Sequence, residues 1–452
     1  MTLFNRFTER TGASALLICA MLAPGWAADY EKPATLNAAD LFPDIPVKGE
    51  HYTIQRKVPT DGYLTRAVIE SEFGEFVALG PGMLEVRLHE LDALVKLQTL
   101  EASEEFQRGA KDSANEKWEG LKQVYEKPKE AAAGLSDGVS RFFKRTYRAG
   151  KTGAQTISDV YNDRVPGQAE GAGANLPGKA ATQTVQDEES KYKKAAQASG
   201  STAVNILGFD DSRRKLAKRL KVDPYTTNPV LDEKLDEVTW SIFAGDFGID
   251  LATSLIPGSI VVTGSSLVSD WVWDTSPGDL RVKIEKTMLG LGISQQDVDS
   301  LLRHRSYPLS YQAALSASLA VIGKVDGVTS IMPLTLSVTT VDQALFVVNS
   351  LRMLQKYHET VKPLTAIVSQ GTVYAQDKDG NTVVAAPVDY LSWTEQLDRF
   401  SGHSRFTDSQ PTLYIAGAFS DMAKSKLQQR GWQLHENSEL FTRISVPHEA
   451  RS

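Results

Sequence analysis

Apolar positions recur with two different periods along this chain, and the change from one to the other marks its elements. His51-Tyr52-Thr53-Ile54-Gln55 and the run from Tyr63 to Leu79 are rich in β-branched and aromatic residues and predict strands. Gly74 interrupts the second run and Gly80-Pro81-Gly82 closes it. From Met83 the period lengthens. Leu84, Leu88, Leu91 and Val95 fall at i, i+4, i+7 and i+11, one face of a long helix, and Leu94, Leu97 and Leu100 widen that face into a buried stripe. Charge dominates from Glu101 to Lys129, and Pro128 interrupts the helical pattern. A short amphipathic helix is predicted from Ser136 to Arg148, with Val139, Phe142, Phe143 and Thr146 on one side.

Large apolar residues then become scarce. Gly, Ala, Gln, Ser and Asp fill residues 150–203, which read as a flexible linker because such a stretch buries too little surface to offset its ordering entropy. Beyond it a helical block is predicted. Leu216 and Leu220 share a helix that Val222-Asp223-Pro224-Tyr225 ends, and Asn228-Pro229 opens the next. Two weakly charged stretches, Val238 to Val272 and Tyr307 to Val348, are rich in Ser and Thr and broken by Gly or Pro. They read as buried core helices rather than membrane spans, which need about 20 apolar residues in a row.

From Thr365 the period shortens again. Ala366 to Ala375 and Asn381 to Ala386 predict strands joined at Asp377-Lys378-Asp379-Gly380, a hairpin signal. Ser392-Trp393-Thr394-Glu395 reads as a capping box, and Thr412 to Ile415, Ser420 to Arg430 and Trp432 to His435 read as a β-α-β unit. The expected class is α+β and mostly helical: N-terminal strands plus a long helix over 28–149, the linker over 150–203, a central helical core over 204–364 and a small C-terminal α/β unit over 365–452.

The first 27 residues stand apart. Arg6 and Arg10 precede a short apolar run from about Ala13 to Ala23, and Gly25-Trp26-Ala27 sets small residues before Ala28. This is the layout of a cleaved secretory signal peptide, and it predicts an exported protein of the periplasm or the periphery of the bacterial envelope. Composition changes the picture in two places. Cleavage removes Arg6, Glu9 and Arg10, a net charge of +1, so the formal charge of −7 becomes −8, which argues against a general nucleic-acid binder. The one cysteine, Cys19, lies inside the leader, so the mature chain is cysteine-free and has neither a disulfide nor a thiolate ligand.

Candidate chemistry is sparse. Ala149-Gly150-Lys151-Thr152 has Arg145 where a phosphate loop needs glycine, so no nucleotide is expected. Asp377, Asp379 and Gly380 lack the spacing of a calcium loop and read as a turn. The seven histidines include no i, i+4 pair, so no metal and no cofactor is expected. Ser212-Arg213-Arg214-Lys215 matches S-x-x-K without any partner motif. Asp246 and Asp250 stand at i, i+4 among apolar residues, and Asp270 and Asp274 repeat the spacing beside Trp271 and Trp273. Paired carboxylates with aromatic neighbours are what acid/base chemistry on a glycan would need, while helix caps and ion pairs use the same residues. Two basic clusters stand out from the acidic background. One is Arg141, Phe142, Phe143, Lys144, Arg145 and Arg148; the other is Arg213, Arg214 and Lys218 with their neighbours. Each suits an anionic lipid surface, or the solvated back of a helix whose apolar stripe faces a core.

The resulting expectation is a non-enzymatic structural or interaction protein that contacts anionic lipid or another envelope protein. The alternatives are an envelope hydrolase using those aspartates and a module that holds a small apolar ligand between Ser/Thr-rich helices.

Overall fold

The computed structural model describes residues 30–107, 202–244, 254, 256, 270–369, 372–406 and 411–442. The leader, the helix predicted over Ser136 to Arg148 and all but the last two residues of the linker lie outside them. Within the described residues the chain mixes α and β structure.

The N-terminal part holds β1 (Thr35–Asn37), α1 (Ala38–Leu41), β2 (Tyr52–Ile54), β3 (Lys57–Pro59), β4 (Arg66–Ser71), β5 (Gly74–Leu79) and α2 (Met83–Ala102). β1 pairs antiparallel with β3, and β2, β4 and β5 form an antiparallel sheet in that order. The run from Tyr63 to Leu79 is therefore two strands, not one. Glu72-Phe73 makes the turn, Ser71 opposes Gly74, and Gly74 adopts a φ of 110°, which the absence of a Cβ permits. In α2 the buried set Leu84, Leu88, Leu91, Leu94 and Leu97 is joined by Glu85, His89 and Glu90, because the helix is covered on one side by β5 and on another by α4.

The helical layer comprises α3 (Thr202–Leu220), α4 (Pro229–Ala244), α5 (Asp270–Asp274), α6 (Pro277–Gly290), α7 (Gln295–Leu302), α8 (Leu309–Ile322), a 3₁₀ turn at Val328–Ser330, α9 (Ile331–Ser337) and α10 (Val341–Thr360). Local chemistry sets several of these starts. Ser276, Ser294 and Thr340 each accept a hydrogen bond from the amide three residues on, and Pro277 and Pro229 occupy first helical positions. α8 buries Ser310, Gln312, Ser316 and Ser318 along with its leucines, so it is enclosed on all sides. Among the described residues no helix is long and apolar enough to cross a membrane.

The C-terminal part is a five-stranded sheet in the order β12-β10-β8-β7-β6. Its strands are β6 (Leu364–Ser369), β7 (Val373–Asp377), β8 (Thr382–Ala386), β10 (Thr412–Ile415) and β12 (Gln433–His435). β8, β10 and β12 run parallel, and β6, β7 and β8 are antiparallel neighbours. The run Ala366 to Ala375 is again two strands, β6 and β7. Asp377 to Gly380 does make the β7–β8 turn: the buried Asp377 carboxylate accepts from the amides of Asp379 and Asn381, both at 2.9 Å, and from the Tyr357 hydroxyl at 3.0 Å. α11 (Glu395–Ser401) is capped by Thr394, whose hydroxyl accepts from the Leu397 amide; Ser392 lies two residues too early to be the cap.

Strand alternation divides this sheet between two layers. Ile367, Val373, Ala375, Val383, Ala385 and Tyr414 face α10, where Tyr357 meets Tyr414 edge-on at 5.6 Å. Tyr374, Val384, Leu413 and Ile415 face α11, α12 (Asp421–Gln429) and the Phe400–Phe406–Trp432 aromatic group. Both faces are covered, which is why β8 reads as an unbroken apolar run.

Two devices close the molecule. Short parallel strands β9 (Tyr390–Leu391) and β11 (Ala418–Phe419) extend β8 and β10, and Gly62 and Tyr63 accept hydrogen bonds from Ser392 and Asp389 at the edge of β9. The N-terminal arm then reaches across. The Glu31 amide donates to the Trp393 carbonyl, the Glu31 carboxylate accepts from the Trp393 amide and the Ser420 hydroxyl, and Tyr30 donates to Asp398 at 2.9 Å.

Gly417 sits at the tightest backbone approach, where an added Cβ would lie 1.8 Å from the Asp389 carbonyl oxygen. We therefore expect Gly417→Ala to lower the unfolding free energy by at least about 3 kcal/mol, the upper end of overpacking costs. Gly290→Ala, where a Cβ meets nothing within 4 Å, should change it by less than about 1 kcal/mol in denaturant titrations.

Candidate functional site

The second basic cluster is the best described of the predicted sites, and it does not form a surface. Arg213 and Arg214 are 5% and 7% exposed. Arg213 pairs with Asp232 and Asp236 and donates from Nε to the Pro224 carbonyl at 3.1 Å. Arg214 pairs with Asp210 at 3.0 Å and Asp211 at 3.2 Å and donates to the Trp273 carbonyl at 2.9 Å. Their lipid-contact assignment is thus corrected: a guanidinium among buried carboxylates cannot also meet a headgroup. Lys218 stays on the surface but is paired with Asp274 at 2.5 Å. The cause is legible in α3, whose Leu216 and Leu220 are fully buried, so the arginines on the flanks of that stripe are carried inward with it.

The aspartates separate rather than converge. Asp274 is the solvent-side partner of Lys218. Asp270 opens α5, and Asp246 and Asp250 lie outside the described residues. The two tryptophans are explained by cations and a carbonyl. Lys283 lies 3.2 Å from the Trp271 ring centroid, and the buried Trp273 donates from Nε1 to the Val222 carbonyl at 2.8 Å. Arg141, Phe142, Phe143, Lys144, Arg145 and Arg148 lie outside the described residues, so the lipid-contact reading rests on that segment.

Around the two arginines a buried polar junction forms where α2, α3, α4 and α8 meet. Glu90 of α2 accepts from Arg87 at 2.6 Å, from the Thr226 hydroxyl at 2.5 Å and from Asn228 Nδ2 at 3.0 Å. His89 bonds the Lys221 carbonyl at 3.2 Å, and burial lowers its pKa. Every ion pair named here is satisfied within the protein, and the junction opens onto no cleft, so its chemistry is structural. Among the described residues no group of three or more His, Cys, Asp and Glu could hold a metal.

The cleft lies elsewhere, in the angle between α9 and α10 against the start of β7, with a volume of about 270 Å³. α9 and its C-cap supply Leu334, Ser337 and Val338; α10 supplies Gln343, Phe346, Val347 and Ser350; Thr372 and Val373 complete it. The cleft exists because the helical stretch breaks at Val338-Thr339-Thr340. Thr340 caps α10, and the Gln343 carboxamide oxygen accepts from the Thr339 amide at 2.8 Å, fixing the corner. The lining holds apolar groups and neutral hydrogen-bonding groups and no acid or base. Sequence reasoning placed a ligand gap among the Ser/Thr-rich helices without naming these residues. The available signal was the Thr-Thr pair followed by Gln343, a helix start inside an apolar run.

No family model, curated protein or solved structure matches the chain.

Removing one partner of a buried pair leaves a bare charge inside. Arg213→Met should therefore cost about 3–5 kcal/mol, against less than about 0.5 kcal/mol for Lys215→Ala on the solvent side of α3; equilibrium unfolding of the two variants checks this.

Proposed function

We propose that this chain is an exported protein of the bacterial envelope with a non-enzymatic interaction role, and that the α9–α10 cleft is where it holds a small apolar ligand. One observation carries the reading: the lining combines Leu334, Val338, Phe346, Val347 and Val373 with the neutral groups of Ser337, Gln343, Ser350 and Thr372. Such a surface rewards burial of an apolar body and orients it through a few hydrogen bonds, but it supplies no general acid, base or nucleophile pair. Its volume lies just below the range typical of drug-sized sites, which suits a small molecule or a single apolar side chain of an envelope partner. The leader layout supports export. Contact of Arg141 to Arg148 with anionic lipid belongs to the same proposal, as the means of holding the protein near a membrane.

The test is binding of a fluorescent apolar probe, N-phenyl-1-naphthylamine, to the mature protein and to Ser337→Trp. Ser337 is exposed at the rim, so a tryptophan there can close the cleft without entering the core. The variant should bind the probe at least about tenfold more weakly, a loss of about 1.4 kcal/mol, while melting with the wild type. Equal binding by the two proteins would remove the cleft from the proposal.

A further inference from the structure

The loop that joins α3 to α4 carries an acid that the surrounding ion pairs leave out. Asp223 accepts from the Tyr225 amide at 2.8 Å. Facing it are Glu90, with Arg87 behind, from α2; Arg213, with Asp210, from α3; Tyr225 from its own loop; and Ser310 and Tyr311 from α8. Asp232 of α4 lies beyond Arg213. The guanidinium groups are already engaged: Arg87 by Glu90, Arg213 by Asp232 and Asp236, and Arg214 by Asp210 and Asp211. Among the described residues no lysine or arginine comes within ion-pairing distance of Asp223. Its nearest charged carboxylate neighbour, Glu90, repels it.

The loop is also built to move as a unit. Lys221, just before it, holds a left-handed φ of 58°, which costs a side-chain-bearing residue about 1 kcal/mol or more and is released if the loop swings out. The loop is pinned on the α2 side by two contacts, His89 to the Lys221 carbonyl and Glu90 to Thr226 and Asn228.

We propose that this junction is a proton-operated clasp, in which proton uptake by Asp223 tightens loop 221–228 against α2 and α8 and proton loss loosens it. A neutral Asp223 still accepts from the Tyr225 amide, gains a donor toward its neighbours and no longer repels Glu90. An ionised Asp223 adds an uncompensated charge to the junction. Although the residue as a whole is only partly buried, packing around its carboxyl pushes the pKa up to about 6 from an ordinary 3.8, against the opposing pull of the Ser310 hydroxyl and the Tyr225 amide.

The sign follows from linkage. A carboxyl whose folded pKa is raised favours folding as pH falls through 6 toward 3.8 and disfavours it above. His89, with its folded pKa lowered from 6.5, acts the other way: the stability it contributes above 6.5 is lost as pH falls through its folded value. The two groups lie at the two ends of the same hinge, so His89 partly masks Asp223 in the wild-type profile, and the clasp is read from a difference.

The experiment is chemical unfolding of the full mature chain, wild type and Asp223→Asn, from pH 7.5 to 4.5. The ratio of their unfolding equilibrium constants should change with pH by up to about 100-fold, with Asp223→Asn the more stable at pH 7.5 and its advantage gone at pH 4.5. A ratio constant across the range overturns the clasp. If Asp223→Asn does not fold, His89→Gln removes the opposing group: hydrogen exchange of the 221–228 backbone in that variant, corrected for intrinsic rates, should slow as pH falls from 7.5 to 5. Unchanged or faster corrected exchange overturns the proposal. Neither readout depends on the cleft.

Discussion

The helical layer depends on charge taken out of water and neutralised in place. Arg213 and Arg214 sit on the flanks of α3 beside Leu216 and Leu220, and burying that apolar stripe draws both guanidinium groups inside. Each is met by carboxylates from α3 itself or from α4, and Arg214 reaches the Trp273 carbonyl at the end of α5. Burying the apolar stripe is favourable only while these pairs remain complete, because a single missing partner converts a neutral contact into a bare charge in a low-dielectric interior. The orientation of α3 against α4 and α5, and through Glu90 the seating of α2 on the α3–α4 loop, follow from this electrostatic constraint more than from apolar contact, which is non-directional.

The second half is organised by α10, which belongs to two layers. Its flanks pack on α8 and, through Tyr357, on the sheet face that includes Tyr414, and its first turns wall the cleft. The cleft is therefore held by a long rigid helix and the start of a strand, which suits a preformed binding surface.

Much of this was legible in the chain. The i, i+4, i+7 spacing of Leu84, Leu88 and Leu91 identified α2, Asn228-Pro229 opened α4, and Thr412 to His435 spelled a β-α-β unit. What misled was contrast that sequence does not contain. Tyr63 to Leu79 and Ala366 to Ala375 are apolar throughout, so the turn inside each was hidden, and Thr394 rather than Ser392 caps α11 because of where the chain leaves β9. The arginines of α3 show the harder failure. Sequence gives the sign of a charge but not the partner that neutralises it, and Asp232, about five helical turns away along the chain, decides whether Arg213 is a surface group or a core group. The cleft was legible only as a region, since its walls come from three elements that meet by tertiary packing.

The Glu31–Ser420 contact has a consequence in time. It joins groups 389 positions apart, with Glu31 also held at Trp393. Enlarging a loop is cheap at equilibrium, with each doubling adding only about 0.6 kcal/mol, but contacts of such separation form late. A chain that is synthesised, or threaded through a translocase, from its N-terminus presents this arm first and its acceptors last. Until Ser420 has emerged, Tyr63 and Leu64 have no C-terminal surface to cover, and the first segment to appear is among the last to find its place. The intermediate that waits in this way is the one a chaperone or protease would meet.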